Sequence, residues 1–200
     1  MAMLAPASRL LSSAPTMTGS SIPLTSSRRR WLAATLSAAA GTLVGLPAQA
    51  APEPAYTVTP WQGATPPFQA LDTQGKTWRL DELKGRAVLI NFWASWCEPC
   101  RAEMPTLQQI ADLYGPDKLL VLALNFKEHP NRAIQFAATT GLNLPVLLDP
   151  QGQTARAWGV KVFPTTLLID RQGRARQRVQ GEVDWTGAAA AQMIDALLAR

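Results

Sequence analysis

The feature that most constrains this chain is a nearly continuous apolar run, Ala87-Val88-Leu89-Ile90-Asn91-Phe92-Trp93, with Cys97-Glu98-Pro99-Cys100 starting four residues later. Such a run marks a strand buried on both faces, and so the middle of a sheet rather than its edge. The cysteines then open a helix expected to reach about Tyr114, with Met104, Leu107, Ile110 and Leu113 on its apolar stripe. Pro105 should kink it, because proline has no N–H to give the carbonyl of Arg101. A helix N-terminus carries unpaired N–H groups and partial positive charge, which favour a thiolate. Three residues is about one helical turn, so Cys100 lies beneath Cys97. Cys97 is therefore read as the attacking cysteine and Cys100 as the one that resolves a mixed disulfide.

These are the chain's two cysteines. A bridge between them closes almost no loop and contributes little through chain entropy, so a reactive pair explains them better than a structural staple. A zinc site needs four ligands, and the chain adds only one histidine, His129. A c-type haem site needs His directly after the second cysteine, where Arg101 stands. No metal and no other cofactor is expected.

The rest of the pattern alternates strands with helices. Phe68–Leu71 and Thr77–Leu80 flank the turn Asp72–Lys76 and should form a hairpin, with Asp81 capping a short turn that ends at Gly85. Residues 119–125 read as a second buried strand, 131–139 as a helix, 144–148 as a short strand and 153–158 as a short helix. Residues 162–170 and 174–179 read as antiparallel strands about Arg171-Gln172-Gly173, and Asp184 or Thr186 should cap a closing helix ending near Leu198. Together these predict an α/β domain, a mixed sheet flanked by helices, over residues 68–200. Residues 51–67, rich in Pro, Ala and Thr, read as a linker. Trp78, Trp93 and Trp158 are expected in the core, and His129 in a loop without a role.

Residues 1–50 differ in character. They hold four arginines (Arg9, Arg28, Arg29, Arg30) and no acid, so 15 of the 19 basic residues and all 14 acidic ones follow residue 50. The net charge of +5 belongs mostly to this segment, and nothing after it suggests a nucleic-acid partner; Arg171, Arg174, Arg176 and Arg178 read as a solvated face. Ser27-Arg28-Arg29-Arg30, a weakly apolar stretch from Trp31 to Leu46, and Ala48-Gln49-Ala50 make up an export signal of twin-arginine type. The apolar stretch is under the ~20 residues a spanning helix needs, so cleavage after Ala50 is expected, with an uncleaved membrane anchor as the alternative. Residues 1–16 add nothing the signal requires, which leaves Met1, Met3 and Met17 as possible starts. Export implies a periplasmic, oxidising location.

Asn91-Phe92-Trp93-Ala94-Ser95-Trp96-Cys97-Glu98-Pro99-Cys100, followed by Glu103, Pro105 and Phe163-Pro164-Thr165, resembles the thioredoxin superfamily, and within it the TlpA/ResA group of periplasmic thiol–disulfide reductases. The resemblance covers about residues 60–200, including the helix and strand at 131–148 that this group inserts into the thioredoxin core. It implies a thioredoxin fold and a redox-active disulfide between Cys97 and Cys100. By itself Pro164 is an ordinary strand-opening proline; the resemblance implies a cis bond facing the Cys97 sulfur, with the backbone of Phe163 pairing with an extended substrate. Trp96 and Phe163 would rim a shallow groove, and Glu98 and Pro99 would lie against the substrate. Asn91 stands where cytoplasmic thioredoxins carry a buried Asp, while Glu103 stands where ResA-like members place a functional carboxylate. It could take the proton from Cys100.

The function implied is reduction of disulfides in exported client proteins, such as apocytochrome c or copper-site proteins. Electrons would come from a membrane thiol donor of DsbD/CcdA type, and the protein would act as a monomer. A DsbA-type oxidase or isomerase is the alternative, but the chain lacks a long helical insertion after the cysteines and a His between them. A Sco-like copper carrier would want Cys-x-x-x-Cys and a ligand histidine, and a peroxidase a Thr-x-x-Cys loop; neither pattern is present.

Overall fold

The computed structural model describes residues 55–200. The export signal, its cleavage after Ala50 and the choice of start lie outside the described residues. Among those described, no helix is long and apolar enough to cross a membrane.

The strands are β1 (Tyr56–Pro60), β2 (Gln69–Asp72), β3 (Thr77–Arg79), β4 (Ala87–Trp93), β5 (Leu119–Phe126), β6 (Val146–Asp149), β7 (Thr165–Ile169) and β8 (Ala175–Gly181). The helices are α1 (Glu98–Tyr114), α2 (Pro130–Thr140), α3 (Gln153–Ala157) and α4 (Ala188–Leu198). All the described strands join one mixed sheet in the order β1-β8-β7-β4-β5-β6-β2-β3. β4, β5 and β6 run parallel, which requires the crossovers through α1 and α2. β7 lies antiparallel on the other side of β4. This is the thioredoxin fold with the expected hairpin and the expected inserted helix and strand.

All seven residues of β4 are buried, and its side chains alternate between two cores. Ala87, Leu89 and Trp93 pack with Met104, Leu107 and Ile110 of α1 and with Ile194 and Leu197 of α4. Val88, Ile90 and Phe92 pack on the opposite face with Phe68, Leu80, Leu83 and Trp158. Asn91 is the one polar side chain of β4, and it falls on the α1 face.

Several expectations need correction. Within the segment read as a linker, Tyr56–Pro60 is a strand paired with β8 from Tyr56↔Gly181 to Pro60↔Gln177. Its β-branched Thr57, Val58 and Thr59 suit an exposed edge, and Pro60 is tolerated at its end. Gly181, at φ 105°, lets it approach: a Cβ there would collide with the carbonyl oxygen of Ala55. Asp81 lies inside a 3-10 turn, Leu80–Leu83, rather than capping it. α4 starts after Gly187, because Asp184 and Thr186 bond to each other instead of to the helix. His129 has a structural role as the N-cap of α2, where its ring accepts the Asn131 N–H at 3.3 Å. Trp93 and Trp158 are core residues, but Trp78 is half-buried on the hairpin, donating to Asp72 at 2.9 Å under the Lys76 ammonium. The arginines of β8 are not simply solvated either: Arg178 donates to the Trp158 carbonyl at 2.7 Å and lies over the Trp61 ring. α1 is continuous from Glu98 to Tyr114 through Pro105.

Candidate active site at the head of α1

β4 delivers the chain to the start of α1, where Cys97 is the N-cap residue in extended conformation and Pro99 sits in the first turn. Proline costs nothing there, since first-turn N–H groups have no helical partner. Cys97 and Cys100 form a disulfide with S–S 2.05 Å and Cα atoms 5.3 Å apart. The Cys97 sulfur also accepts the backbone N–H of Cys100 at 3.3 Å. Cys97 is 6% exposed and Cys100 fully buried, so only the first sulfur can meet a large partner.

Around the disulfide, Trp96 is 64% exposed and meets Phe163 edge-on at 6.2 Å. Phe163 in turn leans on Phe126 at 4.6 Å. The Phe163–Pro164 bond is cis, and the Pro164 carbonyl accepts the Gly181 N–H at 3.0 Å. Thr165 ties the same turn by donating to the Val162 carbonyl at 2.7 Å. Trp96 and Phe163 are thus brought together, with Val162 exposed beside them. Glu98 points to solvent and pairs with Arg101 at 3.2 Å.

Glu103 lies three residues beyond Cys100 on the same helix face and is 1% exposed. Its Oε1 accepts from the Asn91 amide at 2.5 Å and its Oε2 from the Val183 N–H at 3.2 Å. Burial pushes its pKa up to about 8; the Val183 N–H, the Asn91 amide and the Trp185 side chain pull the other way, and the charge of Glu182 adds to the rise. With the Cys97–Cys100 bridge closed, this is a carboxyl that titrates just above neutrality beside an uncharged pair. Such a group can give up or accept a proton near neutrality.

Two further groups belong to the site without being singled out by the sequence. Glu128, just past β5, accepts from the Ser95 N–H (2.7 Å), the Ser95 hydroxyl (2.6 Å) and Asn125 (2.7 Å), which latches the loop between β4 and α1 onto β5. Thr166, opposite Asn91 in the β4–β7 register, accepts from the same Asn91 amide at 2.9 Å. Neither has a local signature, since Thr166 bonds to Asn91 on β4 and Glu128 to Ser95 in the loop after β4, both distant in sequence; an acidic residue ending a buried run was the one available hint for Glu128. Among the described residues no cluster of His, Cys, Asp and Glu could hold a metal ion.

A family model described as the AhpC/TSA family matches residues 62–178. The chain is similar to the thiol-disulfide oxidoreductase ResA of Geobacillus thermodenitrificans, 37% identical over 120 residues, which is 60% of this chain and 69% of the relative. Its fold is similar to that of a DsbF homologue from Corynebacterium diphtheriae, with TM-score 0.63 and 28% identity over 70% of this chain and 93% of the other. It is also similar to the exposed lipoprotein thioredoxin Etrx1 of Streptococcus pneumoniae, with TM-score 0.55 and 34% identity over 66% and 99% of the two chains. A family match across more than half its length, and a ResA relative matched over more than two thirds of its own, agree with a disulfide at the head of α1: the chain belongs to the AhpC/TSA family and is a ResA-like thiol–disulfide oxidoreductase.

Proposed function

We propose that this protein reduces disulfides in exported client proteins through Cys97 and Cys100, with Glu103 as the proton acceptor for Cys100. The observation that carries the reading is the buried Glu103 carboxyl, one turn below a Cys97–Cys100 disulfide of which only one sulfur reaches the surface. In the reduced enzyme the Cys97 thiolate attacks a client disulfide, forming a mixed disulfide and releasing one client thiolate. Cys100 then loses its proton to the Glu103 carboxylate and attacks the Cys97 sulfur. The mixed disulfide breaks, the second client thiolate leaves, and two electrons have passed to the client. A carboxyl titrating at about 8 is poised to take up a proton near neutrality. This step leaves Glu103 protonated, ready to return the proton on re-reduction.

Electrostatics favour the reducing direction. Strong oxidants of this chemistry owe their potential to a stabilised reduced form, whereas an ionised Glu103 beneath the pair would disfavour a thiolate, and the charge of Glu98 is offset by its ion pair with Arg101. Trp96, Phe163 and Pro164 would receive an extended, partly apolar client segment, with Glu98 and Pro99 at its border. The arginine-rich leader supports export, as does the similarity to an exposed lipoprotein. A membrane thiol carrier of DsbD/CcdA type would then supply electrons, and the clients would be proteins that need free cysteine pairs, such as apocytochrome c or copper-site proteins. Equilibration with glutathione tests the direction. A potential nearer thioredoxin's of about −270 mV is expected, and one near DsbA's of about −120 mV overturns it.

A further inference from the structure

The side chain of Asn91 is fully buried, and its donors and acceptor are unequally used. Both hydrogens of its amide are engaged, one by Glu103 Oε1 at 2.5 Å and one by Thr166 Oγ1 at 2.9 Å, while its Oδ1 is buried without a partner. A buried orphan acceptor in an otherwise closed network needs an explanation. The present orientation suits an ionised Glu103, whose oxygens only accept. It does not suit a protonated one. Oε2 already accepts the Val183 N–H, and an acid proton placed on Oε1 would meet the Asn91 N–H head-on. Turning the amide over about its last torsion conserves its shape and puts Oδ1 at the shared position. There Oδ1 can accept from the Glu103 hydroxyl and from the Thr166 hydroxyl, which changes from acceptor to donor.

We propose that Asn91 is a positioning residue for the proton held at Glu103: its amide offers N–H to the ionised carboxylate, turns to offer C=O to the protonated acid, and Thr166 follows the turn. The inference rests on the reading of Glu103 as proton acceptor for Cys100. It gives a reason for an amide at this place on β4: a carboxylate would repel Glu103, and an apolar side chain would support neither state. The groups facing Glu103 are Asn91 on β4, Val183 and Glu182 beyond β8, and Trp185 before α4. Thr166 on β7 is reached only through Asn91. Glu182 is the charged side chain that acts on the carboxyl, while the cysteines, joined as a disulfide, carry no charge.

The test is the side-chain amide signal of Asn91 in the 15N-labelled oxidised protein, followed from pH 5 to 10 alongside the Glu103 carboxyl carbon. The two should titrate with one midpoint. In Glu103→Gln, the Val183 N–H holds the oxygen of the introduced amide, so its NH2 faces Asn91, and the Asn91 signal should stay at the wild type's low-pH position at every pH. An Asn91 signal that does not move through the Glu103 midpoint, or that moves equally in Glu103→Gln, overturns the proposal. Kinetics give a second readout. Asn91→Leu should raise the Glu103 midpoint by about one unit and slow disulfide exchange about tenfold at pH 7, with the ratio to wild type returning toward one above pH 9. A ratio constant with pH means a merely structural residue. If Asn91→Leu does not fold, the amide titration still decides. Unchanged exchange in Glu103→Gln would instead sink the role of Glu103 itself and leave the amide turn to be judged by its own signal.

Discussion

Asp170 and Glu103 are both buried carboxyls tied to the same strand, β7, yet they are held in opposite charge states. Asp170 follows the last residue of β7 and is fully buried. Burial pushes its pKa up, but the Arg174 N–H, the Arg176 guanidinium at 2.6 Å and the Gln172 N–H outweigh that and hold it below the usual carboxylate range. Glu103, bonded through Asn91 to Thr166 near the start of β7, has one backbone N–H, one amide, the Trp185 side chain and no cation, and its pKa rises to about 8. Both side chains are hidden from solvent, but Glu103 lies much deeper, and that depth together with the supply of cations and N–H donors sets the charge. The hairpin end of the strand uses its acid as a fixed anchor, and the dithiol end keeps one that can exchange a proton.

Changes at the two ends should therefore separate function from stability. The largest effect is expected from Cys100→Ser, which should abolish turnover of a model disulfide and trap clients on Cys97 as mixed disulfides, visible on a non-reducing gel. Clients failing to accumulate would break the assignment of attacking and resolving roles.

Next comes Glu103→Gln. The folded Glu103 binds its proton more tightly than the unfolded chain does, at about 8 against 4.5. Its contribution to stability is thus complete below about pH 4.5 and is lost as the pH climbs through about 8. Urea unfolding across that window should show a decline of up to about 3–5 kcal/mol in wild type that flattens in the variant. Exchange should slow at least about tenfold at neutral pH. A parallel decline in both proteins would mean that Glu103 is not the titrating group.

Asp170→Ala should cost about 2–3 kcal/mol by leaving the Gln172 and Arg174 N–H groups without their acceptor, and exchange rates should stay as in wild type. The sign is the reverse of Glu103's: Asp170's contribution is complete above about pH 4 and is lost as the pH falls through its lowered value, so Asp170→Asn should flatten the acid limb instead. A change in exchange rate here would erase the contrast between the two ends. The smallest effect is expected from the exposed Glu98, whose replacement by Gln should raise the reduction potential by under about 15 mV, measured against glutathione.

Much of the fold could be read locally. The run Ala87–Trp93 identified β4, the cysteine spacing identified the head of α1, and the turn Asp72–Lys76 identified the hairpin, because each signal lies within one element. β1 carries no such signal, because Tyr56–Pro60 becomes a strand only where β8 offers it an edge. Trp78 and Arg178 depart from expectation for a related reason: whether a tryptophan enters the core or an arginine meets solvent depends on neighbours distant in sequence. In the site, Cys97 and Cys100 stood out through their spacing, and Trp96, Phe163 and Pro164 through resemblance. Glu128 had no comparable mark, since its partner Ser95 is 33 residues away.

Residue types and their spacing were enough to place a cysteine pair at a helix head behind a buried strand, because helix geometry and thiol chemistry act over a few residues. Only the tertiary structure decided the proton chemistry behind that pair. Asn91, Glu103, Thr166 and Val183 come from four separate segments, and it is their convergence in one dry space that leaves Glu103 without a cation and sets its affinity for a proton.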